Sequence, residues 1–132
     1  MRPPKGTLLD THVLLWTLAG SSELGSRFRN LLGSHGPVFF SAISLVELAI
    51  KASVKKLPQD LLTPQNLVSF GLRELPFDAG AAGHVDRFPA LQHHDPFDRM
   101  LVAQAVHHSL FFETADKKLL DIGLRDLHDP RV

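Results

Sequence analysis

Short, continuously apolar runs alternate along this chain with longer helix-like segments. Thr7-Leu8-Leu9, Val38-Phe39-Phe40, Leu72 to Leu75 and Leu110-Phe111-Phe112 are too brief for helices and read as buried strands. A weaker last strand is expected near Leu124 to Leu127. Between the strands, Thr11 to Ala19 reads as a helix, and Ser22 to Leu32 as another, with Ser22 as N-cap and Gly33 as stop. Ser44 to about Lys56 forms a third, closed by Pro58. Thr63-Pro64 opens a short helix in the pattern of a cap followed by proline at the first helical position. Asp78 caps a helix running to about Phe88, and Asp95 caps another that starts at Pro96 and runs to about His108. Lys117 to Leu120 supplies a last helical turn or two. Apolar strands separated by helices imply a mostly parallel sheet of four to five strands, covered on both faces.

That topology gives the acidic residues a common address. In open parallel sheets ligands sit beyond the carboxyl ends of the strands, where strand order reverses. Asp10 directly follows the first strand, Asp116 follows the fourth through Thr114-Ala115, and Glu47 lies in the first turn of the helix after the second strand. All three are expected at one rim. Each also has an ordinary reading. Glu47 completes a capping box with Ser44, and Asp116 caps the turn at Lys117. Asp95 and Asp98 together make a good helix start, in which an acid gains a few tenths of a kcal/mol from the helix dipole. A cap needs only one of them, so Asp95 is assigned to the cap and Asp98 to the site. Asp10 fits the ordinary account least, because a carboxylate between an apolar strand and an apolar helix is costly unless paired.

Taken together the four acids say more. A like-charge pair ~4 Å apart costs about 4 kcal/mol at an effective dielectric near 20. Four converging carboxylates therefore require protonation or a cation among them. Oxygen ligands suit magnesium or manganese. Such ions acidify bound water and neutralise phosphate oxygens, the equipment for phosphodiester hydrolysis.

The remaining composition narrows the class. The chain has 132 residues, enough for one domain spanning 1–132, with 44% apolar and 21% charged residues, as expected of a globular protein. No apolar run approaches the ~20 residues of a membrane span, and the start of the chain does not read as a secretion signal. There is no cysteine, which excludes disulfides and thiol chemistry and suits a cytoplasmic location. Fourteen basic residues balance fourteen acidic ones, which argues against nucleic-acid binding by bulk charge alone. His93-His94 and His107-His108 do not suggest zinc, since adjacent histidines on a helix do not share a face. They are expected at the surface or behind the site. Lys51, one turn after Glu47, is either a surface ion pair or a residue that holds the carboxylate. Arg99 either reaches a phosphate or an acid, or is solvated. Trp16 is expected in the core.

The segments LLDTHVLLW (Leu8 to Trp16), SAISLVELAIK (Ser41 to Lys51), HHDPFDRMLVAQA (His93 to Ala105) and TADKKL (Thr114 to Leu119) resemble, in order and spacing, the motifs of PIN-domain proteins, most closely the VapC toxins of prokaryotic toxin–antitoxin pairs. The resemblance spans nearly the whole chain, with the DPFDR segment its most specific part. It implies a PIN-like three-layer α/β/α fold and a ribonuclease site dependent on Mg2+ or Mn2+. The implied metal-binding and catalytic acids are Asp10, Glu47, Asp98 and Asp116, the last at a position less uniformly acidic in the family. Thr11 and Thr114 match hydroxyl positions beside the site. Homodimerisation and inhibition by a VapB-like antitoxin are implied too. Val46 stands where relatives often carry an aromatic residue. The tail after Leu120 is hard to align and is expected to bear on the last strand and the dimer edge, not on the chemistry.

The resulting expectation is a toxin that hydrolyses RNA, with Asp10 and Asp98 anchoring the ion, Glu47 and Asp116 completing its shell, and Lys51, Arg99 and Lys117 gripping the backbone. Two rivals stand beside it. One is a catalytically silent module that binds a basic partner peptide through its acidic groove. The other is a phosphotransferase with Asp10 as nucleophile, which would want an aspartate where His12 stands.

Overall fold

A computed structural model describes residues 6–34, 36–51 and 62–132. Among the described residues, five strands form one sheet: β1 (Thr7–Leu9), β2 (Val38–Ser41), β3 (Arg73–Leu75), β4 (Phe111–Glu113) and β5 (Leu127–His128). Their order across the sheet is β3-β2-β1-β4-β5, and every pairing is parallel. Strand order therefore reverses at β1, whose neighbours are β2 and β4.

Alternation along the strands divides the core in two. Leu9 and Phe40 face one side, where they meet Val13, Leu14 and Leu18 of α1 (Thr11–Ala19), Phe28 of α2 (Ser26–Leu32), Leu48 of α3 (Ala42–Lys51) and Leu67 of α4 (Pro64–Ser69). Leu8 and Phe112 face the other. There they meet Leu101, Val102 and Ala105 of α6 (Pro96–His107), and Leu119 of α7 (Lys117–Leu120). Between β3 and α6 lie α5 (Ala79–Ala82) and a 3-10 turn at Pro89–Leu91. The expected helix–sheet–helix layering is what the chain adopts.

Several boundaries differ from the sequence expectation. The second helix begins at Ser26, not Ser22, with Gly25 at its cap and no side-chain capping bond. A Cβ at Gly25 would press on the backbone of Arg131, so the chain turns through 22–25 to let its end pass. The third helix begins at Ala42. The Ser41 hydroxyl accepts the Ile43 N–H at 2.9 Å, which puts Ser44 inside the helix. Its expected continuation to Lys56 and closure at Pro58 lie outside the described residues. The helix after Asp78 is a single turn that ends at Gly83, and the chain reaches Phe88 through turns. The last strand sits at Leu127–His128, later than expected. No helix among the described residues is long and apolar enough to cross a membrane.

Candidate active site

The carboxyl ends of β1 and β4 open into a cleft of ≈ 380 Å³. Its walls include Asp10, Glu47, Asp98 and Asp116, so the four acids singled out from the sequence share one rim. Each arrives by a different local cause. Asp10 ends β1 and caps α1, with Oδ1 accepting the Thr11 N–H at 2.7 Å. Glu47 comes from the second turn of α3, because that helix starts at Ala42, ahead of the expected Ser44, and Asp98 from the first turn of α6. Asp116 caps α7, accepting the Lys118 N–H at 2.8 Å.

Hydroxyl groups hold two of these carboxylates in place. Thr114, fully buried, donates to Asp10 Oδ2 at 2.6 Å and accepts the N–H of Asp116 at 3.1 Å. Thr11 donates to Glu47 Oε1 at 2.7 Å, with the Ser44 hydroxyl 2.9 Å from its own oxygen. Glu47 is thus turned into the cleft and does not return to cap its own helix. Lys51 lies 2.5 Å from Glu47 Oε2 and 3.9 Å from Asp95, with its ammonium 5.8 Å above the Phe97 ring. It balances the acids from one side of the cleft. Asp95 performs the capping role, its Oδ1 accepting the Phe97 N–H at 2.8 Å.

Charge is concentrated beyond what the local helix starts need. The carboxyl of Asp98 is pushed up to about 7, first by burial and then by the neighbouring charges of Asp10, Asp95, Asp116 and Glu47. Asp10 is also raised, chiefly by its burial, against the opposing hydrogen bonds from Thr114 and Thr11. A hard divalent cation fits this donor set: every group is an oxygen donor, and a double positive charge would reverse the penalty on Asp98. Among the described residues, no three of these acids group as closely spaced metal ligands.

Two of the candidate cations lie outside the lining of the cleft. Arg99 is not part of the cleft. Its side chain lines a shallow hollow with Phe77, Val85, Pro96 and Met100, because one residue after Asp98 the helix has already turned to another face. Lys117 pairs with Asp121 at 2.6 Å in solvent, away from the acids. Trp16 touches the first core cluster but also forms part of the cleft wall.

The tail contributes more than expected. Arg131 joins the cleft, with its guanidinium held by Asp129 at 2.8 Å and its reach extending to the Ala115 carbonyl at 3.4 Å. No local signal marks it, since only the pairing of β5 with β4 returns the tail to this rim. Also unanticipated is Arg27, which grips the buried carboxylate of Glu113 through two bonds of 2.7 and 3.1 Å and ties α2 to the end of β4. His93 and His94 line a groove that continues from the cleft past Asp98, Asp116 and Lys118.

The family model for the PIN domain matches residues 7–124. A crystal structure of DNA-bound VapBC from Salmonella typhimurium is similar with a TM-score of 0.70 and 23% identity, covering 94% of this chain and 97% of that one. VapBC2 from Rickettsia felis, bound to a DNA fragment from its promoter, is similar with a TM-score of 0.71 and 16% identity, covering 93% and 97%. FitAcB from Neisseria gonorrhoeae is similar with a TM-score of 0.65 and 23% identity, covering 94% and 97%. No curated protein sequence matches this chain.

Proposed function

The chain belongs to the PIN-domain family, and from that premise we propose that it is a divalent-metal-dependent ribonuclease, the toxin half of a VapBC-type toxin–antitoxin pair. The observation that carries the proposal is the convergence of Asp10, Glu47, Asp98 and Asp116, from four separate elements, on one cleft at the reversal of strand order. Ordinary capping accounts for where Asp10, Asp95 and Asp116 start their helices. It does not account for a carboxyl held up to about 7 among four other acids.

In this reading Asp10 and Asp98 hold a Mg2+ or Mn2+ ion, with Glu47 and Asp116 bound to it directly or through water. When bound, the ion supplies a water acidified toward hydroxide and neutralises charge on the phosphate and the leaving oxygen. The chain does the positioning. Thr114 fixes the rotamer of Asp10 and Thr11 that of Glu47, so the acids are preset before substrate arrives. Lys51 and Arg131 line the cleft wall, and in this reading they meet phosphodiester oxygens of the RNA backbone. The balanced net charge fits a protein that engages RNA through such local cations and a metal.

Partners follow from the same reading. The structural neighbours include VapBC complexes, which supports an antitoxin partner for this chain. A homodimer and a cytoplasmic location belong to the same proposal.

Incubating the purified protein with total RNA, with magnesium or manganese and then with a chelator, tests the proposal when the new RNA ends are sequenced. Discrete cleavage that requires the ion is expected, and Asp98→Asn should reduce it ~100-fold or more. Tight binding of a basic peptide with no cleavage under any ion would favour the silent module instead. Wild-type cleavage by Asp98→Asn would remove the assignment of the site.

A further inference from the structure

At the far end of α6 from Asp98, Asp78, His107 and His108 each place a metal-ligating atom so that all three lie within 4.8 Å of one another. Asp78 Oδ2 lies 3.4 Å from His108 Nε2, and Asp78 Oδ1 lies 3.9 Å from His107 Nε2. Two ligands of a tetrahedral zinc ion, each about 2.0–2.1 Å from the metal, stand about 3.3–3.4 Å apart. The Asp78–His108 separation matches such an edge, and the remaining separations lie within 4.8 Å.

The local structure builds this arrangement in three ways. On a regular helix consecutive side chains diverge by ~100°, which is why the sequence argues against a shared ligand. His107 is the last residue of α6, however, and His108 has left the helix at φ −91°, ψ 4°. The two imidazoles turn together there, with centroids 4.8 Å apart and planes at 75°. Next, Gly80 faces His107, and a Cβ at that position would collide with the imidazole. A residue without a side chain is what lets the ring reach Asp78. Finally, His108 Nε2 is shielded from solvent and has no hydrogen-bond partner, a cost that a bound ion would remove. Asp78 is itself held in place, its Oδ1 accepting the backbone N–H of Ala81 at 2.8 Å.

We infer that Asp78, His107 and His108 form a zinc site that clamps the start of α5 to the end of α6, with water in the fourth position. Two imidazoles and one carboxylate suit zinc, whereas magnesium and manganese prefer all-oxygen shells. The site is separate from the acidic cleft, and its occupancy does not depend on the ribonuclease reading.

Calorimetric titration of tag-free protein with zinc chloride tests the inference in the wild type, Asp98→Asn, His107→Gln and His108→Gln. Saturable binding of one ion is expected to survive in Asp98→Asn. It should weaken at least ~10-fold in each histidine variant. Zinc-edge X-ray absorption of the loaded wild type should report two imidazole nitrogens among the ligands, and decides the matter alone if a histidine variant fails to fold. No saturable binding, binding unchanged in both histidine variants, or an all-oxygen spectrum would each overturn the assignment.

Discussion

Asp98 illustrates how a single carboxyl records its surroundings. Its ordinary value is 3.8, and in the fold it is pushed up to about 7 by burial and by its acidic neighbours. Between about pH 4 and 7 the unfolded chain therefore holds fewer protons at this position than the folded one. By linkage, the contribution of Asp98 to stability is lost as pH rises through that window, and it stays lost above it. In the presence of a chelator, Asp98→Asn should make the protein more stable than wild type at pH 8 and about equal to it near pH 4. The gain should be ~1 kcal/mol once solvent screening of a partly exposed group is allowed for. Thermal melts of both proteins at the two pH values measure it, and a variant less stable at pH 8 would contradict the charge-repulsion account. The same substitution that removes cleavage would then stabilise the fold, a trade common where a site is built on repulsion.

Among the elements, α6 does most to place the site. Asp95 and Pro96 start it at the rim, and Leu101 to Ala105 are buried along the middle of it. Gln104 is fully buried within that stretch. Its Oε1 accepts the Ser41 hydroxyl, and its amide donates to the carbonyls of Leu75 and Pro76 at 3.3 and 3.2 Å. One side chain thereby joins the ends of β2 and β3 to α6, where strand ladders have stopped supplying partners. Gln104→Leu keeps the volume and orphans two carbonyls and a hydroxyl, and should cost ~2–3 kcal/mol. Urea denaturation of the variant would show it. A loss below ~0.5 kcal/mol would mean water replaces the amide. The apolar pattern marks α6 as a helix readily enough. Nothing in that pattern says that Gln104 faces inward, because a glutamine between alanines reads equally well as a surface residue.

Across the whole molecule, folding forces the four acids together, and a cation that binds only the folded chain should repay the repulsion. Stabilisation of RT ln(1 + [L]/Kd) amounts to ~2.7 kcal/mol at a hundredfold excess over Kd. Millimolar magnesium or manganese is therefore expected to raise the melting temperature of the wild type by several degrees and that of Asp98→Asn far less. Equal shifts in the two proteins would place the ion elsewhere. The tail belongs to this scale too. Among the described residues β5 pairs only with β4, yet it carries Arg131 back to the cleft and the Asp129 carbonyl to Arg27 at 3.0 Å.

Local chemistry was enough to read the layers and most of the site from the residues. Runs such as LLD and VFF read as buried strands, and DPFDR reads as a capped helix start, because strand burial and helix capping are decided within a few neighbours. The rule that ligands gather where a parallel sheet reverses its order then located Asp10, Glu47 and Asp116. What the tertiary structure alone decided are relations between residues far apart in the chain. These are the return of Arg131 to the rim, the exit of Arg99 from it, the inward turn of Gln104, and the meeting of His107 and His108 over Gly80. Each depends on where a helix stops or which strand pairs last, and those outcomes are settled by packing across the whole fold, not by propensity at the residue.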